Sequence, residues 1–151
     1  MKNKKRKMIK LKDSLGNMFV YEKIKHKKYK YRLYKQYILQ LNFIPKKIVS
    51  TKYYQFTLDG VLTIEAGYNW DGASGPTIDT KSVIRASCVH DVLYQMMREK
   101  ELSLKYKDFA DRELQRIMLE DSSTNPWNRF RAWYYYKAVK LFAGYACKPV
   151  K

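Results

Sequence analysis

Apolar residues recur at short spacing through the first part of the chain and then change period. Met18-Phe19-Val20-Tyr21 follows a turn signal, Ser14-Leu15-Gly16-Asn17, and Tyr29, Tyr31 and Leu33 alternate with polar neighbours. Gln36 to Phe43 continues as an apolar strand closed by Pro45. Lys52 to Thr57 and Val61 to Ala66 flank Leu58-Asp59-Gly60, and Asp-Gly between alternating segments predicts a hairpin. Gly67 ends that run. From Thr80 to Lys100 the spacing is helical. Val83, Ala86, Val89, Leu93, Tyr94 and Met97 form one stripe, with His90 inside it, Asp91 on its rim, and Thr80 or Ser82 as cap. Lys107 to Glu120 is a second amphipathic helix with Ala110, Leu114, Ile117 and Met118 inward and Asp111 at the edge of that stripe. After a polar loop from Asp121 to Asn125, Pro126 at the first helical position opens a third helix capped by Asn125 and ending near Gly144. Its Trp127, Phe130, Trp133, Tyr134 and Phe142 are expected to be core. The pattern predicts an α+β fold: an antiparallel sheet over about 17–67, then three helices packed on one another and on the sheet.

Composition changes this picture in two ways. At 151 residues and 46% hydrophobic, the chain can bury one core, and no apolar run is long enough to span a membrane. Cys88 and Cys147 lack CxxC spacing, which argues against a disulfide framework or a zinc site and for a reducing compartment. The net charge of +17 is unevenly spread. Residues 1–59 carry 17 Lys or Arg against 3 acids, residues 60–125 carry 8 against 11, and residues 126–151 carry 6 against none. The two ends are therefore candidates for meeting an anionic partner: an acidic protein surface, nucleic acid or a lipid surface. Residues 1–12 read as a basic tail, expected to be disordered alone, ahead of a single α+β domain over 13–151. Tyr29, Tyr31, Tyr34 and Tyr37 interleaved with Lys25, Lys27, Lys28, Lys30, Arg32 and Lys35 have the make-up of a nucleic-acid groove, or of a strand with one buried face.

The chemistry is concentrated between Gly67 and Asp111. A histidine on an apolar helix face is costly unless its ring nitrogens are satisfied, and Asp111 is the acid nearest an apolar face. Such a pair would fix the imidazole tautomer and leave the other nitrogen as a general base for water. Tyr94, one turn after His90, could hydrogen-bond the Asp111 carboxylate. Asp91 could ligate a hard cation such as calcium, with Asp71 or Asp79 and backbone carbonyls adding oxygens. The other reading is a His-Asp-Tyr network that only orders two helices.

The segments Ala66-Gly67-Tyr68-Asn69-Trp70-Asp71-Gly72-Ala73-Ser74-Gly75-Pro76, Val89-His90-Asp91-Val92-Leu93-Tyr94, Ala110-Asp111 and Tyr136-Lys137-Ala138-Val139 together resemble the phage and prophage family called Domain of Unknown Function 1353. The likeness spans about 55–145, with Gly75 where a small apolar residue is usual. It implies a phage or prophage origin: a virion or assembly component, made in the bacterial host cytoplasm, that docks on other phage structural proteins. A second resemblance is to secreted calcium-dependent phospholipases of the A type, whose calcium loop, H-D-x-x-Y and C-D-R are similar to Gly72 to Asp79, His90 to Tyr94, and Ala110 to Arg112. It implies His90 as water-activating base, Asp111 as its orienting partner, Asp91 as calcium ligand and Tyr94 as a supporting donor. Val92 and Ala110 stand where that family has cysteines, and the glycine spacing of the calcium loop is absent.

Overall fold

A computed structural model of the chain describes residues 6–72, 80–121, 126–142 and 148–149. Among the described residues eight short strands precede three α-helices: β1 (Met8–Lys12), β2 (Met18–Lys23), β3 (Tyr31–Leu33), β4 (Tyr37–Gln40), β5 (Val49–Ser50), β6 (Tyr54–Phe56), β7 (Val61–Ile64), β8 (Asn69–Trp70), α1 (Lys81–Arg98), α2 (Lys107–Glu120) and α3 (Pro126–Phe142). The α+β class expected from the sequence is what the chain adopts. It builds two antiparallel four-stranded sheets where one was expected, in the orders β1-β2-β3-β8 and β4-β7-β6-β5.

Period-2 patterning accounts for the second sheet. Tyr37 and Leu39, Tyr54 and Phe56, and Leu62 and Ile64 point into the core, while Ile38 and Gln55 point out. The Asp-Gly hairpin joins β6 to β7 through the four residues Thr57 to Gly60. The Gly60 N–H donates to Thr57 O (3.0 Å) and the Thr57 N–H to Val61 O (3.0 Å). Gly60 has φ +81°, and a Cβ there would lie 2.7 Å from Gln40 Nε2 and 3.0 Å from Phe43 O. Only glycine fits this turn.

Two strands lie where turn or tail composition hid them. Met8–Lys12, read from the sequence as part of a disordered basic tail, is β1, paired with β2 in the register Ile9↔Tyr21 and Leu11↔Phe19. Its Ile9 and Leu11 alternate with the lysines and pack on the core, so the lysines occupy the outer face of a strand. Asn69–Trp70, inside the Gly-rich stretch, is β8, paired with β3 through Tyr31↔Trp70.

Helix α1 is the central element. Beyond the predicted stripe it also buries Ser82, Ile84, Arg85, Ser87, Cys88 and Met96. Thr80 occupies the N-cap position without a side-chain capping bond. Arg85 reaches Asp121 (Nε to Oδ2 2.9 Å, Nη2 to Oδ1 2.8 Å), Glu120 (3.0 Å) and the Tyr37 hydroxyl (2.7 Å), and Tyr37 donates to Asp13 (2.8 Å). One buried guanidinium thus ties β4, α1 and the end of α2 together, and Asp121, expected in a polar loop, is its principal partner. The helix ends in a Schellman motif: the Lys100 N–H donates to Met97 O (3.1 Å) and the Glu101 N–H to Met96 O (2.8 Å), with Lys100 at φ 61°.

Helix α3 departs from the sequence reading. Ala132, Tyr135, Tyr136 and Val139 are its buried residues, whereas Trp127, Phe130, Trp133 and Tyr134, expected in the core, face solvent. The buried stripe runs through Ala132, Tyr135, Tyr136 and Val139 at helical spacing, and the other rings fall on the opposite side of the helix. The Phe142 side chain, the Asn125 cap and Cys147 lie outside the described residues. Among the described residues no helix is long and apolar enough to cross a membrane.

Candidate active site

The site is built where α1, α2 and β8 meet. His90 and Tyr94 are one turn apart on α1, and Lys107 and Asp111 one turn apart on α2, so each pair projects from one helix face. The Asp111 carboxylate is wholly buried and takes three hydrogen-bonded partners. His90 Nε2 lies 2.8 Å from Oδ1, the Tyr94 hydroxyl donates to the same oxygen at 2.6 Å, and Lys107 Nζ donates to Oδ2 at 2.7 Å. Burial alone would raise the Asp111 carboxyl, but the adjacent His90, Lys107 and Tyr94 outweigh it and hold the group below the usual carboxylate range. An ionised Asp111 selects the His90 tautomer with its proton on Nε2. Nδ1 then carries the lone pair, and it has no hydrogen-bond partner among the described residues.

His90 itself is 6% exposed. Together with Asp91, Tyr94, Gln95 and Arg98 of α1 it forms one wall of a cleft of about 370 Å³. The other wall comes from Lys28 and Tyr29, and from Tyr68 to Asp71 around β8. Trp70 is fixed at the back, its Nε1 donating to Ser87 Oγ at 3.1 Å, and the Tyr68 hydroxyl donates to Gln95 at 3.1 Å. Lys28 and Arg98 give the cleft two cations.

Asp91 and Asp71, both proposed from the sequence as cation ligands, are brought together in this cleft. Burial pushes the Asp91 carboxyl well above the usual carboxylate range, and the neighbouring Asp71 carboxylate pushes the same way, against Arg98 and an Asp71 backbone N–H. The third proposed ligand, Asp79, lies outside the described residues. Among the described residues no group of three or more His, Cys, Asp or Glu is placed to hold a metal.

Sequence reasoning found His90, Asp111, Tyr94, Asp91 and Asp71, missed Lys107 and Arg98, and gave Lys28 and Tyr29 to a nucleic-acid groove rather than to this cleft. Lys107 was discoverable, since a lysine four residues before a buried aspartate on one helix face meets it. Lys28 and Tyr29 left no such trace, because only the pairing of β3 with β8 carries their loop to the cleft. The nucleic-acid reading of the Tyr-Lys segment loses two of its four rings, since Tyr31 and Tyr37 are buried and closed to a base. Comparisons with protein-family models, with curated proteins and with solved structures find no match, so the geometry of this cleft carries the functional argument.

Proposed function

We propose that this chain is a hydrolase in which His90, oriented by Asp111, activates a water against an ester that carries an anionic group. The observation behind the reading is the asymmetry of His90: one nitrogen is held by a buried carboxylate with three hydrogen-bonded partners, while the other has no hydrogen-bond partner among the described residues and the residue contributes to a cleft wall. In the reaction, the water oxygen bonds to the ester carbon or phosphorus as its proton moves to Nδ1. Asp111 matches the charge of the imidazolium that forms. The ester bond then breaks, and the proton on Nδ1 passes to the leaving oxygen. Lys28 and Arg98 would hold the anionic group, and Asp91, kept protonated more readily than an ordinary aspartate, would offer a second proton donor.

The test is turnover of a panel of carboxylic and phosphate esters by the wild type, His90→Gln and Asp111→Asn, each checked for native fold by circular dichroism. We predict that His90→Gln lowers kcat by a factor of about 10²–10⁴, the usual worth of a positioned base. Turnover that survives this substitution, or its absence from every ester in the panel, would assign the network to scaffolding.

A second reading, an assembly component of a phage particle, is favoured by the basic ends of the chain, which carry 17 and 6 cations against 3 acids and none. Here the cleft would be incidental and the charged surface would do the work, docking on acidic structural proteins.

A further inference from the structure

The inner face of α3 is accounted for by α2, but its outer face is not. Trp127, Phe130, Trp133, Tyr134 and Leu141 stand there between 44% and 73% exposed. The rings pack on one another as a ridge: Trp127 and Phe130 meet edge to face at 6.1 Å, and Phe130 and Trp133 lie 5.8 Å apart. Arg129, Arg131, Lys137 and Lys140 lie on the same helix, which contains no acid. Lys137 Nζ sits 5.9 Å from the centre of the Trp133 ring, and Lys140 leans toward Asp108 of α2 at 3.8 Å.

We propose that this face seats α3 flat on the interface of an anionic lipid bilayer. Trp and Tyr settle at the headgroup level, where an amphipathic ring is stable, and Phe130 and Leu141 supply the part that enters the acyl region. Lysine and arginine stems lie along the apolar ridge while their charges reach lipid phosphates. A second copy of the chain fits less well, because a symmetric pairing would set the Arg129 and Lys137 of each copy against those of the other. A single nucleic-acid strand fits less well too. Its bases stack on flat, separate ring faces, and here Phe130 already contacts both Trp127 and Trp133. The inference is independent of the hydrolase reading, since it concerns the opposite side of α3 from His90.

The experiment is co-sedimentation of the full chain with phosphatidylcholine vesicles, with and without phosphatidylglycerol, alongside tryptophan emission. Binding is expected only to the anionic vesicles, with a blue shift. It should fall about tenfold or more in Trp127→Ser/Phe130→Ser, and likewise in Arg129→Glu/Lys137→Glu. Trp133→Phe, which keeps the apolar ridge, should retain it. Far-ultraviolet circular dichroism monitors the fold of each variant. Absence of binding to anionic vesicles overturns the proposal, as does binding that the serine pair leaves unchanged, which would place the attraction in the basic strands. A dimer in solution that the serine pair dissolves would also overturn it, in favour of a self-pairing face.

Discussion

At the residue scale the two aspartates of the site should respond to pH in opposite directions. Asp111 has a lowered native pKa, so the stability it contributes is present above the unfolded value of about 3.9 and is lost as pH falls through the native one. Removing it strands His90 and Lys107. Asp111→Asn should therefore cost about 3 kcal/mol at pH 7 in urea unfolding, the range seen for breaking a buried pair, with the difference narrowing below about pH 4. Asp91 has a raised native pKa, so its contribution is complete below the unfolded value and lost as pH rises through the native one. Asp91→Asn should then raise the melting temperature at neutral pH by a few degrees while lowering ester turnover, and a fall in melting temperature would refute the account of a carboxylate strained by burial and by Asp71. The sequence exposed these residues because each sits on a helix whose period is unmistakable. His90 inside an apolar stripe and Asp111 at the edge of another define a pair that only a close approach of α1 and α2 can satisfy. What spacing could not show was the side from which the ring is reached, since that depends on a loop some sixty positions earlier in the chain.

At the element scale the helices were legible to within a few residues and the strands only in part. Strands β6 and β7 announce themselves through alternation and an Asp-Gly turn, but β1 is masked by its lysines and β8 by the glycines and aspartate around it. Two residues cannot show a period; β8 exists because β3 offers it an edge. Helix α3 misled for a related reason, as helical spacing of aromatics shows that they share a face and not which way the face turns. The end of α1 gives a direct check. Lys100 holds the left-handed position of the Schellman motif, which costs a side chain about 1–2 kcal/mol, so Lys100→Gly should stabilise the protein by roughly 0.5–1 kcal/mol in thermal unfolding.

On the scale of the whole molecule, one charged side chain does the joining that a larger core would otherwise supply. Arg85 links the second sheet, α1 and the end of α2 through Tyr37, Asp121 and Glu120. Arg85→Ala would leave the largely enclosed Asp121 carboxylate without its principal partner, while Tyr37 keeps its bond to Asp13, and is expected to destabilise by about 3 kcal/mol. Arg85→Met, which restores volume without charge, would still leave Asp121 exposed to burial without its partner and should recover only a fraction. The surface field is the counterpart of that economy: with +17 spread over the sheets and α3, repulsion within the chain is appreciable, and moderate salt should stabilise the fold.

The burial of Cys88 offers a way to watch the site without any substrate. Its thiol is fully enclosed on α1, two residues before His90, and burial, with Asp91 nearby, pushes it well above the usual thiol range. An alkylating reagent can reach it only when α1 parts from its neighbours. With Cys147 replaced by serine, the labelling rate of the one remaining thiol becomes a clock for the opening of the helix that bears His90. That clock should run slowly in the native protein and quicken sharply in Arg85→Ala, whatever the protein is later found to act on.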